Sequence, residues 1–167
     1  MWWSDRRHFL GLAAVAAAVS GCGGFRPLHA PDGPGTALRG QVRAADPTTP
    51  ETYFFALEIE RAFGPALPGA RFDLTYGITL GETGAGRTAD GAITRYVLRG
   101  TLDWTLLEGA QQRTGGRLAE ETTWSAASTN VATNAAQDDA RRRLMRVLAS
   151  RLATRLTAEA ARAAGWP

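Results

Sequence analysis

Lysine is missing from this sequence: all 19 basic residues are arginine, set against 16 acidic ones for a formal net charge of +3. Arginine differs from lysine in presenting a rigid planar fork, which suits two-point contact with phosphates and carboxylates. Cysteine is nearly as scarce, with Cys22 the one thiol in the chain, so no intramolecular disulfide can form and stability must come from packing. Histidine occurs only as His8 and His29. No clustered His/Asp/Glu spacing suits a metal, no G-x-S-x-G marks a nucleophile elbow, and no glycine loop leads into a helix to cradle phosphate. The glycine-rich stretch Gly81-Glu82-Thr83-Gly84-Ala85-Gly86 joins two strands instead. Glu120 and Glu121 are neighbours on a strand and so face opposite sides. The expectation is therefore no catalytic residue, no metal and no enzyme activity.

What is present begins with the leader. Asp5-Arg6-Arg7-His8-Phe9-Leu10 supplies a charged start, compatible with a twin-arginine or a general secretory signal. The apolar run Leu10 to Val19 is too short to span a bilayer as a stable helix. Val19-Ser20-Gly21-Cys22 then resembles the bacterial lipobox, in which small residues precede a cysteine that receives a diacylglycerol thioether and an N-acyl chain. This predicts a signal peptide over 1–21 and lipid attachment at Cys22. Each buried methylene contributes about 0.8 kcal/mol, so several acyl chains hold a soluble domain where one is marginal. Gly23 stands where an aspartate would retain a lipoprotein at the inner membrane, which points to the outer membrane, periplasmic side. No other cofactor is expected. The pI of about 9.7 and the Arg141-Arg142-Arg143 run suit nucleic acid in principle, but export removes that partner.

After Cys22 the chain reads as a lipidated N-terminus and flexible Gly/Pro tether over 22–36, then one domain over 37–164. Leu38 to Ala44 carries a short strand signal. A helix follows, opened either by Thr48 with Glu51 or by Thr49 with Pro50 at its first position, and stopped by Gly64-Pro65. Residues 70–80 and 94–106 alternate apolar even positions with polar odd ones, so they read as a long antiparallel hairpin turning through Gly81 to Gly91. A fourth strand is expected from about Arg117 to Ser125, with Leu118 and Trp124 inward. The last helix reads as opening at an Asn134/Gln137 capping box, with Leu144, Met145, Val147, Leu148, Ala149, Leu152 and Leu156 buried. The order predicts an α+β fold: a four-stranded, mainly antiparallel sheet with two helices packed on one face.

Gly21-Cys22-Gly23-Gly24-Phe25-Arg26-Pro27-Leu28 resembles the start of mature LptE lipoproteins, which typically read G-C-G-F-R-P-L-Y. An extra glycine and His29 in place of tyrosine are the departures. Trp124-Ser125 ending a strand before Ala136-Gln137-Asp138-Asp139-Ala140 is also similar to that family. The resemblance implies an LPS-assembly lipoprotein that plugs and helps assemble the outer-membrane β-barrel LptD, one to one, and takes part in lipopolysaccharide transport. It makes Arg39, Arg43, Arg71, Arg95 and Arg99 candidates for contact with lipopolysaccharide or barrel, with Arg95 and Arg99 foremost. Asp73, Asp103 and Glu121 share the polar parity and could neutralise them instead. The other class in play is a different small outer-membrane lipoprotein with a structural or binding role.

Overall fold

In a computed structural model of the chain, residues 33–127 and 129–162 are described. The leader, the lipobox residues with Cys22, the tether as far as Asp32 and the last five residues lie outside them. The elements run α1 (Pro34–Ala37), β1 (Val42–Ala44), α2 (Pro50–Phe63), β2 (Phe72–Arg87), β3 (Ile93–Glu108), β4 (Gln111–Ser125) and α3 (Asn130–Arg162).

The alternation of the hairpin dictates a sheet with one dry face, and the sheet obeys it. Its order is β1-β2-β3-β4. β1 lies parallel to β2 and the other pairs are antiparallel, so the α+β expectation holds with a mixed sheet. The even-numbered Phe72, Leu74, Leu98, Leu102, Trp104 and Leu106 are buried beneath α2 and α3, with Phe55, Ile59, Leu144, Met145, Leu148, Leu152 and Leu156 from the helices. Each such side chain stabilises the fold by roughly 1.5–3 kcal/mol relative to leaving it in water. Lengths are matched. The 33 residues of α3 make a rod of about 50 Å, and the 16 residues of β3 make a strand of about the same length.

Between sheet and helix, Gly100 leaves room for close approach. A Cβ there would lie 3.0 Å from Leu144 Cδ2 and 3.1 Å from Leu148 Cδ1. At the other helix, Thr49 caps α2 and Pro50 takes its first turn, while the box partner is the Thr52 hydroxyl, not Glu51. Gly64 ends α2 at φ +79°, a conformation that favours glycine.

Several boundaries differ from the sequence reading. The tether's last residues, Pro34 to Thr36, lie in the turn of α1, which delivers Leu38 fully buried into the core. β1 is shorter than expected because Gly40, at φ +71°, turns the backbone before Val42. Gly81 to Arg87 is strand and not turn, since the ladder to β3 absorbs these glycines through register shifts at Gly84 and Gly86. β4 likewise starts at Gln111, directly after a turn at Gly109-Ala110, because pairing with β3 overrides the poor strand propensity of Gly115 and Gly116. α3 begins at Asn130, so Asn134 and Gln137 sit inside the helix and make no cap. Val147, expected in the buried stripe, is 37% exposed because Leu144, Leu148, Leu152 and Leu156, four residues apart, already fill the contact.

Candidate interaction surface

Two helices cover one side of the sheet, and among the described residues no element covers the other. The odd positions of β2, β3 and β4 therefore form an open face. Its centre is small and flat: Thr75 stands beside Thr105, Thr79 beside Thr101, and Gly77 and Gly81 carry no side chain. The charges on it are placed by register. Asp73 pairs across from Arg43, Asp103 from Arg117, and Arg99 from Glu121. The corresponding contacts are 4.0 Å for Arg43 to Asp73, a two-point bond of 2.6 and 3.1 Å for Arg117 to Asp103, and a bond from Arg99 to Glu121. Hydrogen bonding and charge from Asp103 raise the Arg117 pKa above its ordinary value. Over these three pairs the face is rich in charge but locally neutral.

The five arginines singled out by sequence do not act alike. Arg43, Arg95 and Arg99 reach the open face. Leu107, level with Arg43 through Asp73, lies eight residues from Arg99 along β3, so Arg43 and Arg99 are offset by about 27 Å along the strands. Arg71 instead turns to Glu108, donating at 2.6 Å, and Arg113 binds the second oxygen of the same carboxylate. Hydrogen bonding from Arg71, joined by Arg113, holds the Glu108 carboxyl below its ordinary pKa. Arg39 follows α1 and lays its stem against Gly64. Among the described residues Arg39 and Arg95 make no ion pair, so only these two of the five offer free guanidinium groups, and at opposite ends of the domain.

Two polar features on the covered side escaped the sequence reading. Glu82 accepts from the Trp124 indole at 3.0 Å and from the Gln137 side chain at 3.2 Å, tying hairpin, β4 and α3 together, while Tyr96 stacks on Trp124 at 4.4 Å. The available signal was Glu82 itself, a charge standing in the apolar parity of β2. Farther down, Arg155 of α3 lies over the Trp104 ring at 5.4 Å. Tyr76 donates to the Ala45 carbonyl at 2.9 Å. Burial, with the Asp46 charge second, raises its pKa. Among the described residues no group of three or more His, Cys, Asp or Glu is placed to hold a metal ion, and no helix is long and apolar enough to cross a membrane.

This architecture recurs in solved proteins. One assigned as a lipoprotein, from Caulobacter crescentus CB15, superposes with a TM-score of 0.61 at 19% identity, covering 72% of this chain and 90% of that one. What the chains share is the fold. Rare lipoprotein B from Shewanella oneidensis gives 0.54 at 10% identity, over 71% and 93%. A minor lipoprotein from Acinetobacter baumannii gives 0.53 at 15%, over 71% and 89%. No family model matches the sequence, and no curated protein does.

Proposed function

We propose that this chain is a small lipoprotein anchored through acyl chains on Cys22 to the periplasmic side of the outer membrane. There it plugs and helps assemble an LptD-like β-barrel in a one-to-one complex and takes part in lipopolysaccharide transport. The observation that carries the reading is the open sheet face. A plug in a barrel lumen meets polar, hydrated walls, and a flat face of threonines, glycines and internally neutralised Arg/acid pairs can meet such walls with few charges left unpaired, Arg95 among them. The lipobox supports the anchor, and the shared fold of lipoproteins from three other bacteria supports the class. Binding, and not catalysis, is the proposed role.

Within this reading Arg95 is a stronger candidate for lipopolysaccharide phosphate than Arg99, whose fork is already filled by Glu121. The test is an affinity pull-down of the membrane-extracted protein beside a Cys22→Ala control. A large outer-membrane β-barrel recovered in equal amount supports the plug. Recovery of the lipoprotein alone, still membrane-bound, favours the second reading of an independent structural or binding lipoprotein.

A further inference from the structure

The sheet has two unpaired edges, and they are treated differently. Along β4, α3 supplies a fence: Arg143 donates to the Thr123 carbonyl at 3.1 Å, Arg151 pairs with Glu120 at 3.1 Å, and Arg155 comes within 3.5 Å of where a Gly116 Cβ would stand. Charged side chains over an edge are a standard guard against further strand pairing. Among the described residues the β2 edge has no such guard. β1 pairs only with Phe72, Asp73 and Leu74, so β2 runs on from Tyr76 without an outer neighbour among the described residues. Between Thr75 and Gly86 the single charged residue is Glu82, whose carboxylate is turned inward to Trp124 and Gln137.

The backbone of this edge is set out for pairing. The Phe72 N–H donates outward to Gln41 and the Leu74 carbonyl accepts outward from Ala45. The same parity aims the N–H and C=O groups of Ile78, Leu80, Glu82 and Gly84 away from β3. Above them α2 has ended its cover: it starts at Pro50, level with Tyr76 through Thr52, leaving Ile78 and Leu80 only half-buried.

We propose that this edge pairs with the same edge of a second copy of the chain, antiparallel, about a twofold axis at Gly81. The free segment fixes the register. Gly81 is the midpoint of Tyr76 to Gly86, and a register shifted toward Phe72 would drive the partner strand into β1. In this register Leu80 stands opposite Glu82 of the second copy, Ile78 opposite Gly84, and Thr79 opposite Thr83, so no like charges stand directly opposite each other. Isologous pairing of this kind closes on itself and consumes the edge. The dimer is a state of the free chain, independent of the barrel reading above.

The test uses the mature chain with Cys22→Ser, which removes the lipid and the native thiol. Its mass by light scattering across micromolar concentrations should rise from one chain to two. Gly81→Cys, where an added Cβ meets nothing within 4 Å, should form an intermolecular disulfide on mild oxidation, because opposed residues of a non-hydrogen-bonded pair lie within disulfide reach. Gly77→Cys, equally open, should not. Thr79→Lys with Thr83→Lys, both exposed, sets lysines opposite each other twice and should weaken dimerisation at least about tenfold while leaving the far-ultraviolet spectrum unchanged. A single-chain mass at every concentration overturns the proposal, as does equal crosslinking at Gly77 and Gly81.

Discussion

Replacing Gly100 by valine tests how closely α3 is seated on the sheet. The first added atom already lies 3.0, 3.1 and 3.3 Å from Leu144 Cδ2, Leu148 Cδ1 and Leu144 Cγ, tighter than ordinary carbon contact. The two methyls beyond it must enter space those leucines fill. Overpacking of this size costs about 1–3 kcal/mol. Removing a glycine from a strand returns about 0.5–1 kcal/mol. With three contacts this tight at the first atom alone the cost belongs in the upper half of that range, about 2–3 kcal/mol, so a net loss of about 1–2.5 kcal/mol follows, or a fall in Tm of about 3–10 °C for a domain of this size. Urea denaturation followed by circular dichroism gives the free energy directly. Leu148→Ala alone should cost about 2–5 kcal/mol through its cavity. In the double variant the valine fills part of that cavity, so the losses should fall short of additive by more than about 1 kcal/mol. Wild-type stability for Gly100→Val, or strict additivity in the double variant, would refute the close seating.

Three further outcomes are expected. Glu82→Ala strips the acceptor from the Trp124 indole and Gln137, and should lower stability by about 1–3 kcal/mol with a change in tryptophan emission, while Glu82→Gln restores much of it; no loss in urea would count against the tie. Arg99→Ala and Glu121→Ala remove an exposed pair and should each cost less than about 1 kcal/mol, with a coupling in a double-mutant cycle that shrinks in high salt. Glu108, its folded pKa depressed by Arg71 and Arg113, contributes stability that is fully present above the ordinary glutamate pKa and is lost as pH falls through the depressed value. Glu108→Gln should flatten the urea midpoint across that acid window, and an unchanged acid dependence would deny the linkage.

The layering of the domain is written in its residue pattern. Two-residue alternation in β2 and β3 and the leucine repeat of α3 can be satisfied only by a sheet with one dry face under helices, because any other arrangement strands those side chains in water. Local chemistry likewise marked the stop of α2 at Gly64 and narrowed its start to Thr48 or Thr49, between which the folded chain chose Thr49 with Thr52 as its partner. Strand ends were not legible, since Gly81, Gly84, Gly115 and Gly116 look like turns until a neighbouring strand holds them in a ladder. The charges divide the same way. Which arginines share the polar parity is written in the chain, but which are already neutralised depends on register between strands far apart in sequence. Only the tertiary structure could put Glu121 against Arg99 and leave Arg95 free, turn Glu82 inward to Trp124, and fence one sheet edge while leaving the other open.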